Sequence, residues 1–168
     1  NDTFPTATLI GCVLAVEDSL LPNLDLLEKS LKKKTKEFNK IIKVGRTHLQ
    51  DATPIRLGQE FSGYASMVSH DIKRIKNAVK ECTQLPIGGT AVGTGINTIE
   101  GFDTLAASFI TEETGIEFNV CDNKFELLSS QNAISNLSSQ IKICAGSLNK
   151  IANDNKIILI EDTCESLG

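Results

Sequence analysis

The stretch 61-FSGYASMVSHDIKRIKNAVKEC-82 decides the fold class of this chain. Its apolar side chains recur in alternating steps of four and three residues, at Phe61, Ala65, Val68, Ile72, Ile75, Val79 and Cys82. A strand would need alternation at every second residue, whereas this spacing places an apolar stripe along one face of a long helix. The sustained stripe predicts a helix that packs nearly parallel to partner helices, as in a bundle or coiled coil.

Two further stripes lie on either side of this stretch. The stronger one is near the C-terminus, at Ile134, Leu137, Ile141, Cys144, Leu148 and Ile151, with Leu127 and Ile158 extending it by whole heptads. The weaker one is near the N-terminus, at Leu24, Leu27, Leu31, Phe38 and Ile42. The sequence therefore predicts an all-α fold, a bundle of long helices. Helices of about thirty residues would run about 45 Å, so we expect some of their apolar surface to be buried against other chains.

Turn-forming residues separate the predicted helices. Thr53-Pro54 offers an N-cap and a first helical residue for the central helix, and Leu85-Pro86 ends that helix. A shorter helix is predicted over 100–113, stopping near Gly115, and the last long helix is predicted to start near 123–126. The two longest connections, 43–53 and 84–97, are polar or glycine-rich, and functional residues concentrate in such loops.

Composition excludes several classes of function. The formal charge is −4, Trp does not occur and Tyr occurs once, so we expect no nucleic-acid partner. Five widely spaced cysteines without a C-x-x-C pattern predict free thiols rather than disulfides or a zinc site, and neither histidine has a cysteine nearby. The apolar run 7–16 is too short to span a bilayer, so no membrane partner is expected.

The polar run 44-VGRTHLQDATPIRLGQE-60 allows two interpretations. It could be a plain connection that leaves His48 at the surface, which the local pattern favours. Alternatively, Thr47, His48 and Gln50 could present hydroxyl, imidazole and amide groups to a small polar substrate, with the imidazole moving protons. Arg46 could bind a carboxylate in bidentate fashion or form a structural ion pair.

The glycine-rich run 88-GGTAVGTG-95 matches neither a P-loop nor a dinucleotide-binding fingerprint. Local evidence favours a tight connection whose glycines adopt positive φ, and the alternative is a loop of backbone N–H groups near an anion. The residues 1-NDT-3 also allow two interpretations. They could cap the first helix, or Asn1 could donate an amide hydrogen bond to a ligand.

Five segments together resemble the central region of one family. NDTFPTA, GRTHLQDATP with LGQE after it, GGTAVGTGIN, NKFE and KIAND occur in this order between residue 1 and about residue 154. The set is similar to class II fumarases (fumarate hydratases) of the fumarase/aspartase superfamily. Each segment alone is a weak signal, but five in register are specific, and aspartase is the nearest alternative.

The resemblance implies a fold, an activity and an assembly. It implies a central domain of long helices, here 1–168, that builds the core of a homotetramer. The implied reaction is reversible trans-addition of water to fumarate, a small dicarboxylate, giving L-malate, and it needs no metal or organic cofactor. Family members occur in the cytoplasm and in mitochondria, so either location is expected.

The resemblance also implies roles for individual residues that match the family's motifs. His48 matches the family's histidine for proton transfer or water activation, which makes it the catalytic candidate. Thr47 matches a substrate-contacting threonine, and Asn1 matches the asparagine that ends the family's S-S-N substrate-binding segment. Asn123 and Lys124 match a motif near the site without a catalytic role.

Other parts of the family pattern are missing from these 168 residues. The G-S-S-x-M-P-x-K-x-N segment, with its serine base and its substrate-binding lysine and asparagine, has no match. The tail 155-NKIILIEDTCESLG-168 also lacks the family's G-P-R-S-G-like turn. We therefore expect a partial central domain with little or no turnover by itself. The alternatives are part of an aspartate ammonia-lyase and a non-catalytic helical oligomerisation paralogue.

Overall fold

The computed structural model describes residues 1–156, and helices dominate this part of the chain. The α-helices are α1 (Thr3–Ala15), α2 (Leu21–Glu37), α3 (Leu57–Cys82), α4 (Phe102–Thr114), α5 (Lys124–Ser129) and α6 (Asn132–Asp154). A π-helical turn, Val16–Leu20, joins α1 to α2, and a 3₁₀ turn, Phe38–Lys40, follows α2. The predicted all-α class is confirmed, and the short strands form only two-stranded ladders.

The central apolar stripe is the buried face of α3, as predicted. Six of its seven members are buried and Phe61 is half-buried. In α6, the stripe alternates between buried and half-buried residues, with Leu137, Cys144 and Ile151 buried. The lysine-rich face of α2 is largely exposed, as expected for a charged run on a helix surface. Periodicity therefore located the core faces of the long helices.

The described residues divide into two compact units. Unit 1 comprises Asn1–Leu26 and Ile72–Gln140, with a core that includes Val13, Ile75 and Leu85. Unit 2 comprises Leu27–Asp71 and the described residues from Ile141 onward. Its core residues are Leu31, Tyr64, Ala65, Val68, Cys144, Ile151 and Ala152. The prediction of a single domain over 1–168 stays a prediction.

The prediction of a helix start at Thr53-Pro54 was wrong. Both residues lie in a strand, because Ile42–Thr47 (β1) and Gln50–Arg56 (β2) form an antiparallel hairpin and α3 begins only at Leu57. Ile42 was also wrongly assigned to a helical stripe, since it lies in β1 and is 75% exposed. Pairing between two short strands outweighed the local capping signal, and periodicity does not report such pairing.

The last predicted helix is divided in two. It begins where expected, with the Asn123 side chain capping α5 by accepting from the backbone N–H groups of Phe125 and Glu126 at 3.0 and 3.1 Å. Ser130 then adopts an extended conformation, with φ −129° and ψ 143°, and ends α5. Leu127 therefore belongs to α5 rather than to the α6 stripe, and Ile158 lies outside the described residues.

The end of α4 agrees with the sequence, whereas α3 ends at Cys82, before the predicted stop at Leu85-Pro86. Helix α4 ends at Gly115, whose φ of 70° is the left-handed conformation typical of a helix C-terminus. A short parallel ladder follows, in which Gln84–Leu85 (β3) pairs with Asn119–Val120 (β4). The tail residues 157–168, including Cys164, lie outside the described part of the chain.

The helical run Thr3–Lys40 is long and apolar enough to cross a membrane by length and composition alone. Core helices of water-soluble proteins meet the same criterion, so this property is weak evidence for a span. The expectation of no membrane partner stays a prediction.

Candidate functional site

The candidate site residues of unit 2 lie on the β1–β2 hairpin. The ladder pairs Thr47 with Gln50 and Arg46 with Asp51, so the polar run folds back on itself instead of forming an open loop. His48 and Leu49 are the two residues of the turn, and both are exposed. The structure thus brings Thr47, His48 and Gln50 together at the tip of one hairpin.

The turn backbone is unusual for these residues. His48 and Leu49 have φ of 49° and 63°, so both adopt the left-handed conformation that a two-residue hairpin turn of type I′ requires. Asn and Gly normally occupy these positions, and each non-glycine residue in this conformation costs about 1–2 kcal/mol. Leu49 is also 94% exposed, so burial does not offset this cost within the described chain. Such strain is found at functional sites more often than elsewhere, which supports a role for the turn.

A bulge shapes the middle of the hairpin. The register shifts between Val44 and Arg46, so Ala52 and Thr53 of β2 together lie opposite Gly45. A Cβ on Gly45 would approach the backbone oxygen of Thr53 to 2.9 Å, so only glycine fits without a shift. Pro54 follows the bulge, one of the few places where a strand accepts proline.

Arg46 forms the structural ion pair that was one of its two interpretations. Its Nε donates to Oδ1 of Asp51 across the hairpin at 3.1 Å. Both side chains are more than two-thirds exposed, so the pair contributes at most about 1 kcal/mol. Its position nevertheless fixes the charge pattern just below the turn: one cation and one anion, next to Thr47.

The base of the hairpin is fastened to the start of α3. Lys43 Nζ donates to Oε2 of Glu60 at 2.6 Å, and the N–H of Leu57 donates to the carbonyl of Ile41 at 2.8 Å. An isolated two-stranded hairpin is marginally stable, so these contacts to a helix are needed to keep it folded.

A buried tyrosine links α3 to the end of α6 within unit 2. The Tyr64 hydroxyl donates to Oδ2 of Asp154 at 2.9 Å, and Lys150 Nζ donates to the same oxygen at 2.8 Å. Burial, followed by the hydrogen bond to this carboxylate, raises the pKa of Tyr64 above its ordinary value. The hydrogen bonds from Lys150 and Tyr64 in turn hold the pKa of Asp154 below its ordinary value.

A cavity of about 610 Å³ adjoins the hairpin in unit 2. Its lining residues are Lys43, Val44, Gly45, Arg46, Ile55, Glu60 and Asp154. These include two cations and two carboxylates, so the cavity offers polar contacts beside the hairpin bulge.

The second set of candidate residues belongs to unit 1. Asn1 lies against the glycine-rich loop, where its Nδ2 donates to the carbonyl of Ala91 at 2.8 Å. In that loop Gly88, Gly93 and Gly95 have φ of 81°, 105° and 70°, as the interpretation of a tight connection predicts. A Cβ on Gly88 would lie 2.7 Å from the Cβ of Asp103, so the loop also needs glycine for close packing.

Side-chain capping of α1, one of the two interpretations left open for the first residues, does not occur at Asp2. Asp2 occupies the N-cap position, but its side chain makes no hydrogen bond to the helix. Its Oδ2 instead accepts the N–H groups of Gly88 and Thr90 at 2.9 and 3.0 Å. The backbone donors that the sequence offered to a bound anion are thus used by a carboxylate of the chain itself, which sequence analysis missed because the partners lie 86 and 88 positions apart.

Lys124 and Asp103 form an ion pair beside the same loop, with Nζ 2.7 Å from Oδ2. This hydrogen bond, assisted by the N–H of Thr104, holds the pKa of Asp103 below its ordinary value. The pair lines a polar cavity of about 230 Å³ together with residues of the loop. His70, by contrast, is exposed on α3.

The fold and these two sets of residues belong to one family of proteins. A family model described as lyase matches residues 1–164, and the chain belongs to this lyase family. Within it, the chain is 52% identical over 154 residues to the mitochondrial fumarate hydratase of Schizosaccharomyces pombe and 47% identical over 154 residues to the class II fumarate hydratase of Helicobacter pylori. Each match covers 92% of this chain but only 30% and 33% of the relative, so the chain spans about a third of the relatives' length.

Solved structures of the family have the same fold. A class II fumarase from Schistosoma mansoni aligns with a TM-score of 0.90 and 36% identity, covering 92% of this chain and 35% of that chain. A Brucella melitensis structure titled fumarate lyase:delta crystallin, bound to cobalt, aligns with a TM-score of 0.86 and 34% identity, covering 92% of this chain and 33% of that chain. The resemblance to fumarases inferred from the five segments is therefore confirmed.

Proposed function

We propose that residues 1–168 form the central helical domain of a class II fumarate hydratase, which adds water reversibly to fumarate and gives L-malate. The observation that carries the proposal is the His48 turn. It holds an imidazole at an exposed hairpin tip in a strained backbone conformation, with Thr47 and Gln50 paired directly below. The identity of about half to fumarate hydratases supports the same activity.

The proposal gives each candidate residue a task. In the malate direction a base removes a proton next to a carboxylate, and hydrogen-bond donors around that carboxylate stabilise the resulting carbanion. Imidazole side chains donate or accept protons near neutral pH, which suits His48 to proton transfer or water activation. Thr47 and Asn1 contact the substrate through a hydroxyl and an amide. The family's serine base has no match within these 168 residues, and neither metal nor organic cofactor is required.

We further infer a homotetramer, in which the exposed apolar residues of the hairpin contact other copies. Ile42, Val44 and Leu49 are 75%, 48% and 94% exposed. Apolar side chains exposed together usually mark a surface that binds another chain. The cytoplasm and mitochondria are the proposed locations, since relatives that are fumarate hydratases include proteins named mitochondrial.

A chimera tests this function directly. The matching 154-residue region of the Schizosaccharomyces pombe fumarate hydratase is replaced by that of this chain, and malate dehydration is followed by fumarate absorbance. We expect turnover, and we expect His48→Asn to lower kcat by about 100-fold or more. The matched control is His70→Asn, at an exposed position of α3, which should leave kcat unchanged.

The outcomes separate the candidate functions. Equal rates in the two histidine variants would refute the role of His48. A chimera that releases ammonia from L-aspartate but leaves malate unchanged would favour the aspartase alternative. The unmodified 168-residue chain, assayed in parallel, should show little or no malate turnover.

A further inference from the structure

Asp2 is a buried carboxylate for which the proposed chemistry has no task. Its exposed fraction is only 8%, and one oxygen, Oδ2, accepts hydrogen bonds from both Gly88 and Thr90. Hydrogen bonds to an ionised acceptor are stronger than those between neutral groups. Two of them converge on one oxygen, so this carboxylate constrains the loop more than a single contact would.

The backbone of Asp2 is fixed independently to α1. Its carbonyl accepts the N–H of Thr6 at 3.2 Å and the Thr6 hydroxyl at 2.7 Å. The main chain of Asp2 has helical dihedrals, φ −75° and ψ −28°, instead of the extended ones typical of an N-cap, and its side chain makes no capping hydrogen bond. Asp2 therefore connects the first turn of α1 to a loop far away in the sequence.

The loop conformation suits this connection. Gly88 and Thr90 have φ of 81° and 58°, and left-handed residues in a loop can turn several of its N–H groups toward one point, where an anion binds. Here the N–H groups of Gly88 and Thr90 meet at Asp2, while that of Gly89 between them donates to the carbonyl of Pro86. The next loop residue, Ala91, accepts from the side chain of Asn1. The consecutive residues Asn1 and Asp2 thus fasten the segment 88–91 through three hydrogen bonds.

We propose that Asp2 is a positioning residue, which holds the glycine-rich loop at 88–91 and thereby sets the position of the Asn1 amide. Asp2 acts through its neighbour and the loop and does not contact substrate. The consequence for catalysis rests on the proposed function, because it takes Asn1 as a substrate-binding residue. The mechanical part, in which the carboxylate orders the loop, does not depend on the proposed function.

Amide hydrogen exchange measured by NMR on the 168-residue chain tests the mechanical part. In Asp2→Ala, exchange at the Gly88 and Thr90 amides should accelerate about 10- to 100-fold, because a hydrogen bond to a charged group is lost. Amides in the middle of α4 should keep their rates. Asp18→Ala, which removes an exposed acid in the same helical run, is the control and should change none of these rates.

Asp2→Asn is a second variant that keeps the test valid if Asp2→Ala does not fold, since asparagine keeps the side-chain shape and one acceptor oxygen. It should show an intermediate acceleration at the same two amides. Wild-type exchange at both amides in every folded variant would overturn the proposal, and so would acceleration spread evenly over unit 1.

The effect on the site is measured in the chimera described above. Misplacing Asn1 should raise KM for malate at least about fivefold in Asp2→Ala, with a smaller rise in Asp2→Asn. A purely structural role would instead reduce the amount of active enzyme and leave KM unchanged, and that result would overturn the positioning of Asn1. An inactive parent chimera would reject the proposed function while leaving the exchange result decisive for the carboxylate.

Discussion

The start of α3 offers a sharp test of how the hairpin is held in place. Gly58 lies two residues after β2, and a Cβ there would lie against the backbone oxygen of Thr35 and 2.8 Å from the Cα of Asn39. These are backbone atoms, so they cannot move aside by a side-chain rotation. Gly58→Ala should therefore destabilise unit 2, although alanine is the better helix former.

The magnitude follows from two opposing effects. Overpacking against a rigid neighbour costs about 1–3 kcal/mol, whereas replacing glycine by alanine in a helix interior gains about 0.8–1 kcal/mol. The gain is about half as large in the first helical turn, so we expect Gly58→Ala to lower the free energy of unfolding by about 0.5–2.5 kcal/mol. Gly63 is the matched control in the same helix, because a Cβ there meets no atom within 4 Å. Gly63→Ala should raise the free energy of unfolding by up to about 1 kcal/mol.

Urea unfolding followed by circular dichroism measures both variants. With a urea dependence of about 2 kcal/mol per molar, a difference of about 2 kcal/mol, the middle of the expected range, separates the two midpoints by about 1 M. Coincident midpoints would show that the contact between the start of α3 and the end of α2 is loose. The base of the hairpin would then be held by the ion pair between Lys43 and Glu60 rather than by backbone packing.

Three further predictions concern unit 1. Gly88→Ala should lower the urea midpoint more than Gly101→Ala, because φ is positive at both but only at Gly88 does the added Cβ clash; equal losses would show that backbone strain alone matters. Lys124→Gln should lower the free energy of unfolding by about 0.5–1.5 kcal/mol at pH 7. The pKa of Asp103 is lowered in the folded state, so the difference in stability between wild type and Lys124→Gln should persist above about pH 4. It should disappear as the pH falls through the folded pKa of Asp103, and a difference that persists in acid would contradict the prediction. Burial raises the pKa of Cys82 to about 11, so this thiol should resist a thiol reagent at pH 8 until urea unfolds the chain, and rapid native labelling mapped by mass spectrometry would disprove its burial.

The sequence predicted the helices because helical periodicity is a local property. The stripe from Phe61 to Cys82 depends only on the repeat of the helix, and its buried face is where the spacing places it. Gly115 marked the end of α4 for a similarly local reason, since glycine adopts the left-handed conformation at no steric cost. The strands at the start of α3 could not be found in this way. Their pairing depends on two segments meeting, and Thr53-Pro54 also fits a helix start.

The same distinction between local sequence pattern and tertiary contact applies to the candidate site. Sequence motifs identified the candidate site residues Asn1, Thr47 and His48 through their resemblance to fumarases, and their roles stay a proposal. Only the tertiary structure decided how they are presented: His48 on a strained turn, and Asn1 against a loop held by the carboxylate of Asp2. Those contacts join residues far apart in the chain, and their energies depend on distances and burial that exist only once the chain has folded.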